Sequence, residues 1–240
     1  SEAAEMWRIQ ASAAYHLGDY PAARQGFSRY FAQTQEAPRR DAHYMMGLAS
    51  YDCGVYTDAI NLLNKVTTEA DDLLTQNAYL HLGLSYLQTG DKNKARMAFE
   101  QAANMSCDAT LKEQAAYNHA LCIHETSYSA FGESVLVFER FLNEFPSSTY
   151  VDKISSYLVE VYLNTRSYEA ALQSIGRISR PTRTVLEAKQ KILFQLGTQA
   201  FTNAHFDEAA DYSSQPLAMG NTHQPPFTQA YSWLGEPQYR

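Results

Sequence analysis

Small and apolar residues recur along this 240-residue chain three and four positions apart, the spacing of one face of a helix, and the pattern returns as a block. "YHLGDYPAARQGF" (15–27) sets Ala23 and Phe27 four apart behind a Gly-Asp turn. "YDCGVYTDAINLL" (51–63) does the same with Ala59 and Leu63, and "YLQTGDKNKARMAF" (86–99) with Ala95 and Phe99. "YLNTRSYEAALQSI" (162–175) gives Ala171 and Ile175, and "FTNAHFDEAADYS" (201–213) gives Ala209 and Ser213. A looser copy carries Ser134 and Phe138. The small residues at 23, 59, 95, 134, 171 and 209 are 36, 36, 39, 37 and 38 apart. A period in the thirties marks a repeat architecture.

Each block has a second landmark upstream, in an earlier apolar segment: Ala11, Gly47, Gly83, Leu121, Val159, Gly197 and Gly235. Two helical segments per block, each with a small residue at one point, predict a helical hairpin whose helices cross closely there. The short "LGDY" and "TGDK" between them carry helix-stop and helix-start residues. A phosphate loop would need several glycines after a strand and a Lys at the helix start, and this chain has neither strand signals nor that spacing. Hairpins are expected near 4–34, 40–67, 72–105, 110–144, 149–179 and 184–214. The fourth copy has extra residues around "ETSYSAFGES" (125–134) and should turn more widely. Pro216 should shorten the sixth second helix; 216–227 should be an irregular loop and 228–240 a last helix, with Pro237 out of pattern. Opening inside a first helix and stopping within a seventh copy suggests a fragment or an atypical cap.

The pattern resembles the tetratricopeptide repeat family. The likeness is carried by "AYLHLGLSYLQTGDKNKARMAFEQA" (78–102), by "AYSWLGE" (230–236) and by "VFERFLNEFP" (137–146), and it covers almost the whole chain. Departures are repeats longer than the usual 34 residues and the plain Gln10-Ala11 in the first copy. The resemblance implies an all-α fold, a right-handed α-α superhelix of hairpins making one elongated domain over 1–240, with first helices lining a concave groove. It also implies a non-enzymatic scaffold that binds a peptide or helical segment of a partner protein. Laid on this sequence by phase, the groove positions chosen as partner-binding residues are Arg8, Tyr15, Tyr44, Tyr51, Leu84, Asn118, Glu160 and Phe201. Leu48, Leu80, Cys122 and Phe194 share that phase; Leu80, Leu84 and Phe194 read equally well as core between repeats. The Lys, Arg and Asn set with which one family type clamps a terminal carboxylate is missing, and an aromatic and aliphatic face suits an apolar or helical segment. A narrower likeness, "FERFLNEFPSSTYVDKISSYLVEVYL" (138–163), resembles repeat proteins of the Gram-negative cell envelope and implies a periplasmic or envelope location, otherwise a cytoplasmic one. A different reading makes the chain the sensing or oligomerisation segment of a longer regulatory protein.

Composition narrows the functions. Only 11 Gly and 8 Pro, with 45% hydrophobic residues, fit a helical chain. The net charge is 19 − 26 = −7 with signs interspersed, so nucleic acid is a poor partner. The short basic "SRPTRT" (179–184) reads as a turn between repeats. No apolar run approaches the length of a membrane-spanning helix, and no secretory leader is expected within the given residues, which leaves the compartment undecided. Three cysteines, Cys53, Cys107 and Cys122, form no disulfide framework; Cys53 and Cys122 are expected on helices. His119 and His124 are five apart rather than the four that stack metal ligands, and His81 reads as a groove or surface residue. No cofactor, metal or catalytic residue is expected. The acids at 71–72 read as helix starters.

Overall fold

The computed structural model describes residues 1–68, 71–128 and 130–203. The sixth second helix with Ala209, the 216–227 loop, the 228–240 helix, Pro237, His205 and His223 lie outside the described residues. Among the described residues the secondary structure is helical throughout: α1 (Glu2–His16), α2 (Tyr20–Gln33), α3 (Arg40–Asp52), α4 (Tyr56–Asn64), α5 (Leu73–Gln88), α6 (Lys92–Ala103), α7 (Ala109–Thr126), a π-helical turn (Ala130–Ser134), α8 (Val135–Glu144), α9 (Val151–Leu163), α10 (Tyr168–Gly176) and α11 (Arg183–Thr202). Contacts group the chain into two compact units, Ser1–Thr126 and a second beginning at Ser127, where the sequence reading has one domain. The boundary falls inside the expected fourth hairpin: α7 closes the first unit, and the π-helical turn and α8 open the second.

The Gly-Asp turns have a plain cause. Gly18, Gly54 and Gly90 take φ of 79°, 78° and 84°, a left-handed conformation that glycine adopts without a Cβ penalty. Each lets the following N–H fold back onto the helix just ended: Asp19 to Ala14 at 2.9 Å, Val55 to Ser50 at 2.8 Å and Asp91 to Tyr86 at 2.9 Å. Asp19 and Asp91 then cap the next helix, accepting from Ala22 N at 3.2 Å and Lys94 N at 3.0 Å. A short Gly-Asp therefore ends one helix and starts the other, which makes the hairpin.

Hairpin packing follows the small residues. Ala23, Ala59, Ala95, Ser134 and Ala171 are fully buried, and Phe27, Leu63, Phe99, Phe138 and Ile175, four positions on, are buried beside them. Gly47 faces the Leu63 side chain and Gly83 the Phe99 ring so closely that an added Cβ would stand 2.6 Å and 2.4 Å away. The first hairpin reverses the roles. Ala11 is the first-helix residue, and the missing methyl is on Gly26 of α2, where a Cβ would lie 2.7 Å from the Ala11 Cβ. The irregular Gln10-Ala11 copy is thus compensated across the crossing.

In the second unit Tyr162 is fully buried and its hydroxyl bonds the Ser174 hydroxyl. The buried Glu139 of α8 receives Arg177, with Nη2–Oε1 at 2.7 Å and Nε–Oε2 at 3.0 Å. Thr182 caps α11 through Val185 N at 3.3 Å, so "SRPTRT" is a capped connection between helices.

Candidate partner-binding face

In the first unit, α1, α3 and α5 bring four rings and an amide into one connected strip. Tyr15 packs edge-on to Tyr20 at 5.8 Å, and it and Tyr44 each lean on the apolar clusters of both the first and the second hairpins. The Tyr44 hydroxyl accepts from Asn77 Nδ2 of α5 at 2.8 Å. Tyr51 stands edge-on to the His81 imidazole at 5.0 Å and to Tyr56 at 5.7 Å. His81 Nδ1 lies 2.9 Å from the Asn77 carbonyl one turn back, which ties the imidazole to the same helix turn as the amide. Asn77 Oδ1 is buried without a partner, so one acceptor in this strip is unsatisfied.

The strip is electrically quiet. Burial pushes Tyr15 up to about 12, and neighbouring Tyr44 and Tyr20 add to the shift. Tyr44 and Tyr51 are raised for the same first reason. Burial lowers His81, against the opposing pull of the Asn77 backbone, so its imidazole is neutral at neutral pH. The face therefore offers neutral rings, hydroxyls and an imidazole. That is the chemistry of a surface reading apolar side chains and uncharged polar groups.

The eight expected groove residues divide. Tyr15, Tyr44 and Tyr51 belong to the strip, half-buried. They are also wedges between hairpins, which the phase argument did not anticipate: each fills space against core residues as well as facing outward. Leu84 is half-buried and packs on the third cluster with Phe99 and Ala115. Arg8 is held by Glu5, Nε to Oε2 at 3.0 Å, at the other end of α1. Asn118 spends its amide on the Gln114 carbonyl one turn back at 2.9 Å. Glu160 and Phe201 belong to the second unit, on α9 and α11; Glu160 is exposed and Phe201 is 59% exposed. Three residues that share the groove phase are core: Leu48, Leu80 and Cys122 are buried in or between the clusters. Cys53 is at the exposed cap of α3, not on the helix, because Gly54 ends that helix one residue later.

Asn77 and His81 were not singled out as partner residues. Their signal was present: they sit six and two residues before Gly83 on the face that carries Leu84. Also missed were the long-range polar ties between repeats, such as Arg40 to Asp72 at 2.7 Å, because the repeat was read from its small and apolar positions alone. Among the described residues no cluster of three His, Cys, Asp or Glu side chains could hold a metal ion, and no helix is long and apolar enough to cross a membrane.

Two family models described as tetratricopeptide repeat match the chain, one over residues 1–38 and one over 76–106. A crystal structure of MamA protein is similar in fold, with a TM-score of 0.55, 16% identity, 79% of this chain covered and 93% of that one. A tetratricopeptide repeat protein from Parabacteroides merdae ATCC 43184 aligns over 98% of this chain and 100% of its own with 13% identity and a TM-score of 0.33. No curated protein matches the sequence.

Proposed function

We propose that this tetratricopeptide-repeat protein is a non-catalytic scaffold that holds an apolar or helical segment of a partner protein against the strip on α1, α3 and α5. Tetratricopeptide repeats generally mediate protein–protein interaction, which sets the class of partner. The observation that carries the finer reading is the continuous run of Tyr15, Tyr44, Tyr51, Asn77 and His81 across three successive first helices. Tyrosine gives large rigid contact area for little lost side-chain entropy, which suits an anchor for an apolar segment. An envelope location is part of the proposal and rests only on the likeness of 138–163 to envelope repeat proteins.

Photocrosslinking tests the face. A photoreactive phenylalanine at position 81 samples the strip, and one at Gln25, exposed on α2, samples the opposite side of the first hairpin. Proteins joined to position 81 in source cells should be few and recur between experiments, with none of them joined to position 25. Recovery of the same proteins from position 25 alone would place binding away from the strip.

A further inference from the structure

One face of α1 breaks with the repeat. Moving 36 residues on from Met6, Ile9, Gln10 and Ala13 gives Ala42, Met45, Met46 and Ala49 of α3, and all four of these are buried. The preceding hairpin covers them. They share an apolar cluster with Ala11 and Phe27, and Ser12 Oγ donates to Met45 Sδ at 3.6 Å. A further 36 residues on, Ala78, Leu82 and Ser85 of α5 are buried in turn, with Ala78 and Leu82 in the cluster that holds Ala59 and Leu63 of the second hairpin. On α1 the same face is open. Met6 is 61% and Ile9 56% exposed, and Gln10 and Ala13 are exposed beside them. Two large apolar side chains thus stand in water where the repeat elsewhere buries the position against another helix.

The face is complementary to itself. Two copies of α1 laid antiparallel, with a twofold axis between Ile9 and Gln10, set Met6 of each opposite Ala13 of the other. Large against small is the fit that this chain already uses at its crossings, where the Phe99 ring meets Gly83. Charge selects the direction. Glu2 lies in the first turn of α1 and His16 in the last, and both are exposed. An antiparallel pair sets each Glu2 beside His16 of the other copy and opposes the two helix dipoles. A parallel pair would set Glu2 against Glu2.

We propose that two copies of this chain pair through α1, antiparallel about a twofold axis, with Met6, Ile9 and Ala13 at the contact. One helix face is a small interface, so the pair is weak and forms as concentration rises.

Two measurements on the 240-residue chain test this. The first is sedimentation equilibrium. The parent mass should climb from one chain towards two as concentration rises. Met6→Glu with Ile9→Glu should stay at one chain, because pairing would bury four unpaired carboxylates. Met97→Glu, at a residue 64% exposed on α6, should pair like the parent. A parent that remains a single chain up to about 1 mM overturns the proposal, and so does undiminished pairing by the Met6, Ile9 double variant. The second measurement reads the direction, in a background with Cys53, Cys107 and Cys122 replaced by alanine. Under mild oxidation Gln10→Cys, beside the axis, should join two copies. Glu2→Cys should not, because the two residues then lie about 22 Å apart along the helices. Equal joining at both positions, or joining at Glu2→Cys alone, refutes the antiparallel pair.

Discussion

Gly83 and Phe99 meet where α5 crosses α6, and the ring of Phe99 occupies the volume that a methyl on Gly83 would need: the added Cβ would lie 2.4 Å from Cε1 and 2.5 Å from Cδ1. Gly83→Ala should therefore destabilise by about 1–3 kcal/mol, the cost of overpacking a tight site. Gly176 is a useful contrast. It ends α10 with nothing within 4 Å of an added Cβ, so Gly176→Ala should be neutral or stabilising by up to about 1 kcal/mol. Urea unfolding of the two variants checks both signs.

The crossings were legible because close packing forces small residues and large ones into fixed phase. Ala59, Ala95 and Leu63 were placed by spacing alone, and all are fully buried. The Gly-Asp turns were legible because left-handed backbone and helix capping each demand a particular residue. The candidate face was only partly so. Phase put Tyr44 and Leu80 in one class, yet Leu80 is core and Tyr44 reaches Asn77 with its hydroxyl. Which first-helix residue is covered depends on how far the next hairpin rotates, a quantity that spacing within one hairpin does not contain.

Removing the tyrosines should cost stability as well as binding. Tyr44 and Tyr51 both pack on the second apolar cluster, so Tyr44→Ala and Tyr51→Ala are each expected to lose about 1–3 kcal/mol. Calorimetry of the single and double variants reads this directly. A double variant that melts with the parent would mean that the rings do not wedge the hairpins apart.

Arg177→Ala should be damaging although Arg177 is half exposed, because Glu139 is buried and would lose three charged hydrogen bonds. A loss on the order of 1.5–3 kcal/mol is expected. The double variant Arg177→Ala with Glu139→Leu should recover part of it, since the stranded charge is gone. A double-mutant cycle in urea measures the recovery.

Stability should fall on both sides of neutrality. His81 and His43 are lowered mainly by burial, so the unfolded chain binds their protons first as pH drops through the ordinary value of 6.5, and folding stability is lost there. Tyr15, raised to about 12 by burial, works in the opposite direction. Its contribution is intact below the ordinary value of 10.0 and is lost as pH rises from there towards the folded value. Melting curves across the pH range should show both declines. His81→Phe should flatten the acid one, and an unchanged acid slope would mean that His81 titrates freely in the folded chain.

The most direct measurement is the affinity of a partner segment, once captured at position 81, for two variants of this protein. His81→Ala alters the strip beside Tyr51, and Gln25→Ala alters the exposed side of α2. By titration calorimetry, with folding checked by melting, His81→Ala should weaken binding by about tenfold, as expected for an anchor near the centre of an interface, and Gln25→Ala should leave it unchanged. Equal affinities for the parent and His81→Ala, with weakened binding by Gln25→Ala, would contradict the account and move the partner site to α2.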